Sequence, residues 1–97
     1  ASVEARPGLF VDIVGQIDRL VATDSEVLFA DFKSGAPRPV AETPEPYLVQ
    51  IALYHAALAQ AWPGKRVRAF LVWTNGPEVI EFDQEMLVAA LARAPIT

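Results

Sequence analysis

The chain has 97 residues, 12 Asp and Glu against 8 Lys and Arg, a formal charge of −4 and no cysteine. That length allows one domain or a piece of one, since domains typically run to ~100–150 residues. Without cysteine the chain supplies no disulfide, thiolate zinc site, iron–sulfur ligand or cysteine nucleophile, which suits a reducing, cytoplasmic home.

A pI of about 4.8 argues against a module that binds DNA through net charge alone. Hydrophobic residues make up 53% of the chain, enough to demand a buried core. No apolar run approaches the ~18 residues of a membrane span. The opening Ala1-Ser2-Val3-Glu4-Ala5-Arg6-Pro7 has no signal-peptide layout and no Met, so the chain is expected to be an excised fragment.

From Leu9 to Ala22 β-branched residues dominate, and Val11, Ile13, Ile17 and Val21 share a face by period two. That pattern predicts one strand, with Gly15 marking a bulge or kink inside it. Thr23-Asp24-Ser25 is a turn, and Glu26–Lys33 returns as a second strand of an antiparallel hairpin. Leu28, Ala30 and Phe32 fall on one face, with Val27, Phe29, Asp31 and Lys33 on the other. Apolar residues on both faces mark an interior strand.

Between Ser34 and Pro46, Gly35, Pro37, Pro39, Pro44 and Pro46 enforce a loop. Tyr47, Ile51, Tyr54, Leu58 and Trp62 then follow at helical spacing, with Thr43 as expected N-cap, Pro44 at the first helical position and Pro63-Gly64 as the stop. Val67–Thr74 is a strand, Asn75-Gly76 a hairpin turn and Glu78–Phe82 its partner. Asp83 caps a last helix over Gln84–Arg93, whose apolar stripe is Met86, Leu87, Ala90 and Leu91. The predicted order is β-β-α-β-β-α, an α/β architecture on a mixed sheet.

Asp31 and Lys33 carry the chemistry. A carboxylate and an ammonium on one face of an interior strand need matching, because burying either alone costs several kcal/mol. A divalent cation with a phosphate oxygen would match both. Asp18, on the preceding strand, is brought alongside by the hairpin. Two Asp and one Lys at a sheet edge suit phosphodiester hydrolysis: the carboxylates hold Mg²⁺ and the Lys positions water or offsets charge. The plainer reading of Asp-x-Lys is an exposed ion pair worth little. Gln50 and Tyr54 form an i, i+4 pair whose plain reading is a solvated Gln beside a core Tyr. His55 reads as capping a helix face rather than ligating metal, having no carboxylate or second His at ligand spacing. Lys65-Arg66-Val67-Arg68 reads as the solvated start of a strand, with DNA-backbone contact as the alternative. Trp62 and Trp73 read as core or interface, which makes them candidates for a dimer contact.

Taken together, Gly15-Gln16-Ile17-Asp18-Arg19-Leu20, Asp31-Phe32-Lys33-Ser34-Gly35 and Gln50-Ile51-Ala52-Leu53-Tyr54 resemble the PD-(D/E)XK nuclease superfamily. The ordered set G-x-x-D-R-L, D-[FY]-K-[ST]-G and Q-x-x-x-Y resembles its RecB-like branch, and most closely the C-terminal nuclease domains of AddA-type double-strand-break repair helicase-nucleases. The resemblance implies a restriction-endonuclease-like core, partial here because the family's N-terminal helix is absent. It implies Mg²⁺-dependent exonucleolytic cleavage of DNA, with Mn²⁺ as a substitute, and makes Asp18 and Asp31 metal ligands and Lys33 the catalytic lysine. The Phe32 backbone carbonyl would complete the metal shell, and Gln50 and Tyr54 would support the site and touch DNA. ATP would serve only the helicase part of the parent, and an AddB-like subunit would be its partner.

Two departures stand out. Relatives carry a further His or Glu ligand on a helix before the first strand, where this chain offers only Glu4. Branches with an iron–sulfur cluster are disfavoured by the absence of cysteine. A different class of function, a non-catalytic scaffold or interaction module on the same fold, is the alternative.

Overall fold

The computed structural model describes residues 2–6, 9–12 and 17–93. Its elements are β1 (Ser2–Arg6), β2 (Leu9–Asp12), β3 (Arg19–Ala22), β4 (Glu26–Lys33), a 3₁₀ turn (Val40–Glu42), α1 (Glu45–Ala61), β5 (Arg66–Trp73), β6 (Glu78–Phe82) and α2 (Gln84–Arg93).

The four-stranded sheet runs β3-β4-β5-β6. β3 and β4 pair antiparallel, with Arg19 opposite Ala30 and Ala22 opposite Val27. The β4 and β5 strands are parallel, joined by α1, with Asp31 beside Leu71 and Lys33 beside Trp73. The β5–β6 hairpin closes the sheet antiparallel. Its turn needs Gly76, whose φ of +77° lies where L side chains rarely go. The sheet is therefore mixed and the architecture α/β, with two helices.

Alternation along β4 decides which face is covered. Val27, Phe29 and Asp31 are buried, while Leu28 and Ala30 are half-buried and Phe32 is exposed. Both faces remain substantially apolar because the strand is interior. α1 lays Ile51, Tyr54 and Leu58 onto Val27, Phe29, Ala69 and Leu71 to form the core. Each fully buried aliphatic or aromatic side chain there contributes about 1.5–3 kcal/mol by leaving water. α2 packs beside α1 through Leu87 and Ala90, and Arg93 clasps Glu45 with Nε 2.8 Å from Oε2.

The structure departs from the predicted order in one region. The single strand expected over Leu9–Ala22 is two: β2 pairs with β1 in a separate hairpin, while β3 pairs with β4. The β1–β2 hairpin lies against α1, and the order is thus β-β-β-β-α-β-β-α. Ile13, the Gly15 kink and Gln16 lie outside the described residues. Glu4 falls on a strand, β1, not on a helix.

The start of α1 also differs by one residue. Thr43 does not cap it; its hydroxyl donates to the Val40 carbonyl at 2.8 Å, closing the 3₁₀ turn. Pro44 occupies the N-cap and Pro46 the first turn, where its missing N–H breaks no helical bond. α2 begins as expected, the Met86 amide donating to Asp83 Oδ1 at 2.8 Å. Among the described residues no helix is long and apolar enough to cross a membrane.

Candidate active site

Parallel strands β4 and β5 end together, and the polar side chains gather there, at the carboxyl ends where open α/β sheets bind ligands. Asp31 and Lys33 project from β4 on the helix-covered face. Asp31 is 5% exposed, the one buried charged residue among those described. Lys33 Nζ stands 3.0 Å from Asp31 Oδ2. That approach is an ion pair outside hydrogen-bond geometry, so Oδ2 is fully buried with a charge beside it and no directed donor.

Asp18 sits one residue before β3, which by register sets it opposite Asp31. Its Oδ2 accepts from the Phe32 amide at 2.8 Å, which extends the hairpin one step past the ladder. Carbonyls alternate along a strand, and the Lys33 carbonyl accepts from the Thr74 amide at 3.0 Å on the β5 side. The Phe32 carbonyl consequently faces the β3 side, where Asp18 lies.

Electrostatics follow from this placement. Burial pushes the Asp31 carboxyl above its ordinary value; Lys33 draws it back, and the neighbouring Asp18 carboxylate raises it again. Two carboxylates this close oppose sharing full charge unless a cation joins them. Tyr54 is also raised, first by burial and then by the fields of Asp31 and Asp18, while Gln50 opposes the rise.

α1 supplies the remaining wall. Gln50 Oε1 accepts from Lys33 Nζ at 3.5 Å, and Gln50 Nε2 donates to the Tyr54 hydroxyl at 3.0 Å. The plain reading of a solvated Gln50 is therefore corrected: it links the lysine to the tyrosine. Tyr54 packs edge-on against Phe29, fixing its ring in the core. The exposed-pair reading of Asp31 and Lys33 likewise fails, because Asp31 is buried. Tyr47 was missed by sequence reasoning: Lys33 Nζ lies 4.3 Å from its ring centroid. Its spacing of i, i+3, i+7 with Gln50 and Tyr54 was the available signal.

Other singled-out residues lie elsewhere. His55 Nε2 donates to the Val67 carbonyl at 3.1 Å, and burial lowers its pKa below the ordinary value. Lys65 Nζ donates to the Thr23 carbonyl, and Arg68 holds Glu81 through Nε at 2.9 Å and Nη2 at 2.8 Å. A cavity of about 320 Å³ lined by His55, Arg66, Arg68, Glu81 and Asp83 opens at the opposite end of β5. Trp73 is 3% exposed and belongs to the core, which removes it as a dimer contact.

Whether the residues present fit a cation is decided by the buried Asp31 Oδ2, which has the Lys33 ammonium beside it but no well-directed donor. A buried carboxylate oxygen without a donor, a second carboxylate beside it and a backbone carbonyl on the same side form an all-oxygen donor set suited to a hard divalent ion. No group of three or more acidic or His ligands occurs among the described residues, so protein carboxylates supply two positions. The set fits a cation that keeps several waters, as Mg²⁺ does.

Comparison with curated proteins and with solved structures finds no match. The sequence model of the PD-(D/E)XK nuclease superfamily matches residues 1–94, almost the whole chain, and the chain belongs to that superfamily.

Proposed function

We propose that this chain is the nuclease domain of an AddA-type helicase-nuclease that trims double-strand breaks for recombinational repair, acting as a Mg²⁺-dependent DNA exonuclease. In this reading it belongs to a longer cytoplasmic protein whose helicase part uses ATP and whose partner is an AddB-like subunit. The buried, donor-less Asp31 Oδ2 beside Asp18 and Lys33 carries the reading. Two carboxylates there share one ammonium.

Asp18, Asp31 and the Phe32 carbonyl would hold Mg²⁺ or Mn²⁺. Bound there, the ion supplies Lewis-acid stabilisation of phosphate charge and eases deprotonation of the attacking water. Lys33 directs its ammonium at the scissile phosphate and offsets the charge that grows as the phosphodiester is attacked. Gln50 restrains that ammonium from behind, and Tyr54 restrains Gln50 in turn. Both are also within the set proposed to meet the DNA backbone. The acidic balance keeps DNA affinity weak until a cation is bound, so a tight, salt-resistant complex without metal contradicts the reading.

The test is degradation of linear DNA with Mg²⁺ or Mn²⁺ by the wild-type protein and by Asp31→Ala. Removing a ligand should lower the rate at least a hundredfold, and undiminished degradation overturns the assignment. A second reading is favoured by the pair of carboxylates where a fuller shell is usual among catalytic metal sites: a non-catalytic scaffold on the nuclease fold. Calorimetric titration with Mn²⁺ separates the two. Binding lost in Asp18→Asn supports the enzyme, and no binding to wild type supports the scaffold.

A further inference from the structure

Lys33 is held by three different kinds of contact. Asp31 Oδ2 lies 3.0 Å from Nζ, Gln50 Oε1 3.5 Å, and the Tyr47 ring centroid 4.3 Å. The first two are acceptor oxygens: a metal would compete for them, and DNA phosphate would compete with them for the ammonium. Asp31 turns its charge to any cation that binds, and the Gln50 contact, at 3.5 Å, is long for a hydrogen bond and holds Nζ weakly. The Tyr47 ring face takes no part in that competition, because a π-face attracts an ammonium yet ligates no hard cation. The ring is itself immobilised: Tyr47 stands 6.5 Å from buried Trp73 at 52°, and Trp73 neighbours Lys33 across the β4–β5 ladder. Helix and sheet thus fix both ends of the contact.

We propose that Tyr47 is the positioning residue for Lys33, a π platform that keeps the ammonium aimed when Asp31 is engaged elsewhere. The inference rests on the nuclease reading for its catalytic consequence, but the contact itself does not. Tyr47 acts through Lys33 and touches no reacting atom. Its hydroxyl has no part in the argument, so Phe should serve in its place, whereas Leu keeps bulk and apolarity but has no π-face.

The experiment compares wild type, Tyr47→Phe and Tyr47→Leu by steady-state cleavage of linear DNA with Mg²⁺. It also records the Lys33 ε-methylene shifts by NMR in the metal-free protein. Tyr47→Leu should lower kcat roughly five- to thirty-fold, the range of a cation–π contact of about 1–2 kcal/mol, with KM unchanged within about twofold. Tyr47→Phe should stay near wild type. The ε-methylene protons should be shifted upfield by the ring in wild type and Phe, and return to the ordinary lysine position in Leu. Phe as impaired as Leu, Leu at wild-type kcat, or a loss carried wholly by KM overturns the proposal. A wild-type protein that cleaves nothing sinks the nuclease reading and the catalytic half of this one. The upfield shift still decides the contact in that case, and its absence from wild type refutes it.

Discussion

Lys33→Met removes one charge, retains most of the side-chain volume and leaves Asp31 facing Asp18 with no ammonium. At 3.0 Å and an effective dielectric near ~20, the Lys33–Asp31 attraction is about 5 kcal/mol before any cost is subtracted. Ordering a lysine side chain costs up to about 2 kcal/mol and partial desolvation of its ammonium takes part of the remainder, so the net loss expected at pH 7 is about 2–3 kcal/mol. Lys33 is 22% exposed on its side chain, little enough for solvent screening to leave most of that value. For a domain of this size it corresponds to a melting temperature roughly 10–20 °C lower.

The pH dependence separates this account from simple loss of packing. Burial holds the folded pKa of Asp31 above the ordinary value for an aspartate, so between the two the native state binds more protons than the unfolded one. Stability contributed by protonated Asp31 is present at low pH and is lost as pH rises through the folded pKa. Without Lys33 that pKa climbs further, so the variant's deficit should be small near pH 4 and widen towards pH 7. Urea unfolding at both pH values measures it. Equal deficits at the two, or a variant more stable than wild type at pH 7, refutes the charge coupling.

Three further outcomes are expected. Mg²⁺ at ~100 times its dissociation constant should stabilise wild type by about 2.7 kcal/mol at pH 7 but less at pH 4, and should leave Asp31→Asn almost unmoved in a thermal melt. Burial holds the folded pKa of His55 below 6.5, so its contribution is lost as pH falls from that value; in His55→Gln, unfolding midpoints between pH 5 and 6.5 should flatten. Asp83→Ala loses the bond to the Met86 amide and should cost about 1 kcal/mol by urea unfolding, with DNA cleavage unchanged.

Sequence legibility tracked how local the determining physics was. β4, β6 and α2 were readable to the residue, because alternation, an Asn-Gly turn and an Asp cap act within a few positions. The β1–β2 hairpin was not, although Pro7-Gly8 was a turn signal. A run of β-branched residues from Leu9 to Ala22 says strand without saying which partner, and two different partners divide it. Thr43 lost the cap to Pro44 because its hydroxyl had a nearer acceptor in Val40. At the site, the meeting of Asp18, Asp31 and Lys33 followed from the hairpin, whereas Tyr47 had only its helical spacing with Gln50 and Tyr54 to mark it: an aromatic on an apolar helix face reads as core until a strand from elsewhere sets an ammonium over it.

Position 31 carries the strongest argument about purpose. Its flanking core residues Phe29 and Leu71 are almost wholly buried, and an apolar or amide side chain there would avoid the desolvation that pushes Asp31 upward. The protein instead buries a carboxylate, sets a second one beside it and offers a single ammonium that is already shared with Gln50 and Tyr47. A scaffold has no need of that arrangement, because a neutral residue at position 31 avoids the cost of burying charge. A cation site would gain affinity from it, because a divalent ion between Asp18 and Asp31 would turn their mutual repulsion into attraction to the ion. A buried carboxylate with a second carboxylate beside it and one shared ammonium is what the proposed cation site requires and what a surface ion pair does not.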